Sequence, residues 1–376
     1  MKDMDRLFRE ELEIPDIVKA KADAALAGIA AEGKNMKHSN RTYIRKLIPT
    51  IVAACLCIAL LCVAAYAAIH HDWSRGALTA TEDQQQELTE NGMAVVLDEQ
   101  QDPADLAVTH DGVTVTPMEI ITDGDFAWLT FSVSGLEFPE RCDPALDMAW
   151  CYLGDVPSDD KGLLNSSGSF YDGTVIGEDA RAVYEDGSPL EADEDGNAIL
   201  YYVDEDGSLE FTMQCQPVYG DVSLLGQTVH VGLQGLTITA KDMDTISVEG
   251  PWEFTLTMPE GSDSQIIEIN EPVPGTDFTL TQVELSPISA HLTYSVDGDV
   301  EIVDDDLGVP ELCGAVLSDG TELPYLADGG SVGYSEDMAE AYNDFAFDLV
   351  IDPDAVTALL IRTEPGSDCV SIPLNK

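Results

Sequence analysis

Val113-Thr-Val-Thr-Pro-Met-Glu-Ile120, followed after a short turn by Leu129-Thr-Phe-Ser-Val-Ser-Gly135, is the stretch that decides the fold. Both pieces alternate apolar and polar residues, the period-two pattern of strands that lay one face on a core. In the first piece the apolar positions run 113, 115, then 118, 120. A slip of one in a period of two is what a β-bulge or bend produces. The same text recurs as Phe278-Thr-Leu-Thr-Gln-Val-Glu-Leu285, an offset of 278 − 113 = 165. After a two-residue gap, Leu292-Thr-Tyr-Ser-Val-Asp-Gly298 matches the second piece. The copy slips too, at 278, 280, then 283, 285. The echo predicts two related β modules over 105–260 and 262–376, with bends at Thr116–Pro117 and Thr281–Gln282.

Further strand-like segments, Leu209–Met213, Val229–Leu233 and Phe254–Leu256, stand between Asp-Gly and Pro-Gly turn signals. Short strands at such spacing predict sandwiches rather than a barrel or a parallel sheet. The polar residues from Glu82 to Asp105 read as a stalk, spanning 70–104, with one or two short helical or strand pieces.

Upstream lies an uncharged run, Leu47 to Ile69, reading LIPTIVAACLCIALLCVAAYAAI. As a helix its 23 residues reach about 34 Å, enough for a hydrocarbon core of roughly 30 Å. Lys34, Lys37, Arg41, Arg45 and Lys46 precede it and only Arg75 follows closely, which predicts a cytoplasmic N-terminus and an extracellular C-terminus. The competing reading is a cleaved signal peptide at Ala65-Tyr66-Ala67, and export follows either way. A 46-residue leader and so long an apolar run favour a retained anchor in membrane lipid.

Charge divides at the same place. Residues 1–46 carry ten Lys+Arg and eight Asp+Glu, a net of +2; residues 70–376 carry seven and 63, a net of −56. With 71 acidic against 17 basic residues overall, the chain lacks the cationic surface that nucleic acid requires. In the stub, Met4, Leu7, Phe8 and Leu12 recur at helical spacing, and Ile14, Ile17, Val18, Leu26 and Ile29 line one side of a second helix. Two short helices cannot cover that stripe alone, so it docks on a cytoplasmic protein partner or lies on the inner leaflet; the alternative is a disordered tail with nascent helices. Leu7, Phe8, Ile14, Ile17, Val18, Leu26 and Ile29 are the candidate docking residues.

Catalytic signatures fail on context. Gly329-Gly-Ser-Val-Gly333 fits G-x-S-x-G, but no helix pattern follows and no histidine lies after Ser331, so it reads as a glycine-rich turn. Gly28 to Lys34 fits the letters of a phosphate loop, but Asn35 replaces the Ser/Thr and no strand precedes it. No enzyme activity, catalytic residue or cofactor is expected. The carboxylates of Glu185–Glu210 and Asp304–Asp306 make calcium conceivable, but with Gly196 or Gly207 at loop position six, position twelve is Tyr202 or Met213. Asp-Gly hairpin tips are the simpler reading.

Cys55, Cys57 and Cys62 lie in the apolar run; Cys142, Cys151, Cys215, Cys313 and Cys369 follow it. An odd external count leaves at least one thiol free. Cys142 with Cys151 would close a short loop, and Cys313 with Cys369 would join strands of the last module, although connectivity is not fixed by sequence.

The phrases DGVTVTPMEIITDGDFAWLTFSVSG at 111–135 and GPWEFTLTMP at 250–259 resemble the opening and closing strands of a domain of unknown function from membrane-anchored proteins of Gram-positive bacteria. FTLTQVELSPISAHLTYSVDGD at 278–299 is similar to the C-terminal immunoglobulin-like module those proteins often carry. Such proteins are often encoded beside extracytoplasmic-function sigma factors and are regarded as anti-sigma-factor-like. The chain departs from the family in its acidic insert around 155–210. The resemblance implies a mainly β ectodomain of two tandem immunoglobulin-like sandwiches, one N-terminal transmembrane helix (47–69) and a helical cytoplasmic stub (1–46) whose partner is a sigma factor. The alternative is a cell-surface adhesion or wall-binding protein with no cytoplasmic regulatory role.

Overall fold

Alternation along the chain becomes sheets that each bury one face. The computed structural model describes residues 78–97, 106–139, 141–154, 162–176, 181–194, 196–218, 222–241, 243–297, 308–324, 326–335, 337–363 and 366–374. The expected membrane span, 47–69, and the stub lie outside them. Among the described residues no helix is long and apolar enough to cross a membrane.

The first element is helix α1 (Glu82–Glu90). Thr81 caps it: its hydroxyl accepts from the Gln84 N–H, and the Gln84 side chain accepts from the Thr81 N–H. The first module then runs through β1 (Ala94–Val96), β2 (Val108–His110), β3 (Val113–Thr122), β4 (Ala127–Ser134), β5 (Cys142–Leu153), β6 (Leu164–Phe170), β7 (Thr174–Ile176), β8 (Ala182–Tyr184), β9 (Leu209–Pro217), β10 (Thr228–Ala240), β11 (Ile246–Val248) and β12 (Trp252–Thr257). The second contains β13 (Gln265–Pro272), β14 (Phe278–Leu285), β15 (Ser289–Val296), β16 (Glu311–Leu317), β17 (Glu322–Leu323), β18 (Ala327–Tyr334), β19 (Glu340–Phe347), β20 (Val356–Arg362) and β21 (Val370–Pro373).

In the first module one sheet has the order β1-β3-β4-β9-β6, with β2 also on β3; in the other, β5 lies on one edge of β10, and β12 and β11 share its other edge. The second module repeats this as β13-β14-β15-β19-β18 against β17-β16-β20-β21. Each pair of sheets encloses its own core. Phe131, Phe211, Val231, Trp252 and Phe254 meet in the first, and Leu280, Leu292, Tyr294, Leu359 and Ile361 in the second. The polar atoms of the two largest buried rings find backbone acceptors: Trp252 Nε1–H donates to Val113 O at 3.2 Å and the Tyr294 hydroxyl to Pro310 O at 3.2 Å.

The repeat holds, with its register corrected. Val115 pairs with Val133, and Phe278 pairs with Val296. The bulge falls between Pro117 and Glu119 in β3 and between Leu280 and Gln282 in β14, so the extra residues are Met118 and Thr281. One offset, 278 − 115 = 281 − 118 = 163, therefore relates both strands of the hairpin without any gap. The expected bend at Thr281–Gln282 is right; the one at Thr116–Pro117 falls two residues early. Matching apolar letters assigned the inward position to Met118, but Pro117 fills it and Met118 bulges outward. A proline has no N–H to lose at a bulge, which makes it at home there.

The stalk expectation is corrected in part: α1 and β1 are the short helical and strand pieces it foresaw, but among the described residues they pack on the modules. Thr79 bridges Leu349 of the second module, the Gln84 amide donates to Val350 O at 2.7 Å, and β1 joins the first module beside β3. Residues 78–96 are thus built into both modules rather than spacing them from something else.

Within the acidic insert, three tight turns follow one design. Val183 bridges Pro189, Ala192 bridges Ala198, and Val203 bridges Leu209. Gly187, Gly196 and Gly207 have φ of 77°, 85° and 86°, the left-handed turn conformation that glycine adopts without strain. Asp186 Oδ1 accepts from the Ser188 N–H at 2.8 Å and Asp206 Oδ1 from the Ser208 N–H at 2.9 Å. These carboxylates are spent on their own turns.

Candidate functional site

The β3–β4 hairpin of the first module turns through Thr122-Asp123-Gly124-Asp125-Phe126. The Thr122 hydroxyl donates to Phe126 O at 2.7 Å, and Asp123 Oδ1 accepts from the N–H groups of Asp125 and Phe126, each at 3.0 Å. The same 163-residue offset carries Asp123 onto Ser286, in the β14–β15 hairpin of the second module. There the Ser286 hydroxyl accepts from the Ile288 and Ser289 N–H groups at 3.1 and 2.9 Å. The two equivalent hairpins meet. The hydroxyls of Ser286 and Ser289 both donate to Asp123 Oδ2 at 2.5 Å, and all three residues are buried. Charge-assisted bonds of this kind are about twice as strong as neutral ones.

An apolar cluster seals the contact. Leu78, Leu88, Met93, Ile121, Phe126 and Trp128 pack there with Ile288, Ala346 and Val350. This explains why β3 ends in consecutive buried residues: Ile120 faces the sandwich core while Ile121 faces the junction.

Beside this seal lies the titratable part. Asp125 has its carboxyl pushed up to about 7, first by burial, then by the charges of Asp123, Glu284 and Asp344, with His291 pulling the other way. His291 on β15 makes a short Nδ1 contact with Asp344 Oδ1 on β19, and this bond is the main reason its imidazole holds a proton above the usual histidine range. Its ring stacks near Tyr342 at 6.4 Å, and Nε2 contacts the Thr293 hydroxyl at 3.3 Å. The Ser331 hydroxyl donates to Asp344 Oδ2 at 2.9 Å and accepts from Gln216 Nε2 of the first module at 3.0 Å. The raised carboxyl of Asp125 and the raised imidazole of His291 thus lie beside the contact between the two modules.

It is not a hydrolytic triad. Gly329–Gly333 lies within strand β18 rather than in a turn, with a bulge between Ala327 and Gly330. Ser331 gives its proton to a carboxylate, and Asp344 stands between it and His291. Two open clefts at the β5 edge, of about 410 and 430 Å³, gather no such set; the first is lined by Arg141, Lys241, Asp143 and Asp193 beside Cys142. Among the described residues no group of three or more His, Cys, Asp or Glu is arranged to hold a metal ion.

Leu7, Phe8, Ile14, Ile17, Val18, Leu26 and Ile29 lie outside the described residues. Of the cysteines, Cys313 and Cys369 are brought together as free thiols, and burial, then contact with Cys369, pushes Cys313 up to about 12. Cys142 and Cys151 are not: they stand at opposite ends of β5, and an extended strand separates residues nine apart by roughly 30 Å. The short loop expected between them is a straight strand. The junction residues escaped the sequence reading, although Asp123-Gly-Asp125 and Ser286-Pro-Ile-Ser289 occupy the same turn of the repeat and could have drawn attention to it.

No known family model matches the chain, and no curated protein matches it. Among solved structures, one described as the crystal structure of the conserved domain protein from Bacillus anthracis is similar, with 17% identity over 73% of this chain and 79% of that chain and a TM-score of 0.43. A likeness that slight carries no inference about fold or activity.

Proposed function

We propose that the chain is a membrane-anchored signalling regulator of anti-sigma-factor type. Its stub holds a cytoplasmic sigma factor, and two immunoglobulin-like modules sense or anchor outside the cell. The observation that carries this reading is the partition of the sequence into a net +2 stub, an uncharged 23-residue run and a net −56 region. Two structural features support it. The paired sheets β3-β4-β9-β6 and β5-β10-β12 follow the order of an immunoglobulin constant-type sandwich, and so do their counterparts in the second module. Thr79, ten residues beyond Ile69, already bridges the second module, and β1 joins the first. A change in how the modules hold each other would therefore act on the segment nearest the anchor.

A single observation favours the surface-binding alternative. Trp150 and Tyr152 on β5 stack at 5.4 Å and 12°, Tyr152 meets His230 at 5.0 Å, and neighbouring Met148 is 55% exposed. Gly232 seats the indole, since a Cβ there would lie 2.0 Å from it. The experiment that separates the readings is Leu7→Ala with Phe8→Ala in the full chain. In a regulator this raises transcription from the partner's promoters without changing how much protein reaches the membrane. An unchanged transcript profile favours the surface protein.

A further inference from the structure

The five cysteines that follow the apolar run are sorted by the fold. Cys313 and Cys369 face each other in the second module. In the first, Cys151 on β5 meets Cys215 on β9, with their sulfurs 2.8 Å apart and both side chains buried. The two strands belong to opposite sheets, 64 residues apart in sequence. The sheets close on each other at this edge, where Tyr152 bridges Leu163 just ahead of β6. Both are free thiols in the structure, in hydrogen-bond contact, and each strand is held by its own ladder, Cys151 opposite Val231 and Cys215 opposite Ala127.

We infer that Cys151 and Cys215 form a disulfide that staples the two sheets of the first module, leaving Cys142 as the odd thiol. The inference rests on the export proposed above, because thiols stay reduced in a cytoplasm. The oxidant is a disulfide-bearing exchange partner. The thiolate of one cysteine attacks a sulfur of the donor disulfide and expels one donor thiolate. The second cysteine attacks the mixed disulfide and expels the other, and the protons lost by the two cysteines end on the two donor sulfurs. Burial, then contact with Cys151, pushes the Cys215 thiol well above its ordinary range.

The test is thiol mapping on the full chain from its native membrane. The protein is denatured and alkylated without reductant, then digested for mass spectrometry. The expected result is a peptide pair linking Cys151 to Cys215, kept in Cys142→Ser and lost in Cys215→Ser. Recovery of Cys151 and Cys215 as alkylated thiols, in protein whose C-terminal tag is open to external protease, overturns the inference. Should that tag prove internal, the export reading fails separately, and refolding of the reduced chain with oxidised glutathione decides the pairing. A Cys151–Cys215 link upholds it; a link through Cys142, or no link, overturns it.

Discussion

Asp125→Asn removes one proton-binding group from the junction and nothing else of size. The unfolded carboxyl titrates at 3.8 and the folded one at about 7. Between those values the folded chain binds more protons than the unfolded one, so stability falls as pH rises through the window. About three units at 1.36 kcal/mol each set a ceiling of about 4 kcal/mol between pH 4 and pH 8. The carboxyl keeps some contact with solvent, which screens its neighbours, so about 2 kcal/mol is the expected size. His291 acts in the same direction: its raised affinity stabilises the fold below the ordinary histidine range and is lost as pH rises through the folded value. The assay is urea unfolding of the full chain in detergent micelles at pH 4, 6 and 8, wild type beside variant. The two curves should nearly coincide at pH 4, and the variant should gain about 2 kcal/mol by pH 8. Parallel pH dependences would refute the placement of Asp125 among Asp123, Glu284, Asp344 and His291.

Two other outcomes are expected. Ser289→Ala deprives the buried Asp123 carboxylate of one of its two hydroxyl donors and should cost about 1–3 kcal/mol in the same unfolding assay, with a smaller loss in an Asp123→Asn background. Protease added to intact cells should spare a tag at position 1 and remove one placed after Lys376, since the basic residues sit before the apolar run.

The strands were legible because their signal is local. Period-two alternation, Asp-Gly turns and the bulge slip all sit within a few residues of each other, and the two modules could be matched letter by letter. The register error at β3 shows where letters run out: Pro117 and Met118 are both apolar, and only pairing with Phe131 and Thr130 decides which one bulges. The junction was hidden for a stronger reason. Asp123 finds its serine partners 163 and 166 residues away, and the shift of Asp125 comes first from burial, then from Asp123, with Glu284 and Asp344 of the other module adding to it. Nothing beside Asp123 in the sequence distinguishes it from the turn aspartates at 186, 206 and 319, whose carboxylates accept from nearby N–H groups. Cys215 was passed over likewise, because nearness in sequence pointed Cys151 to Cys142 while the folded sheets bring in a strand 64 residues on.

The central claim is that the stub holds a cytoplasmic partner through its apolar stripe. Each large apolar side chain buried in such a contact contributes about 1.5–3 kcal/mol, so losing Leu7 and Phe8 together should weaken the partner by about 3–6 kcal/mol, a hundredfold or more. The direct measurement is quantitative recovery of sigma factor with the full-length chain purified from its membrane, wild type against Leu7→Ala with Phe8→Ala. The account predicts sigma factor bound to the wild type and at least a hundredfold weaker binding to the variant, with membrane insertion unchanged. Equal recovery from both, or none from the wild type, would contradict it.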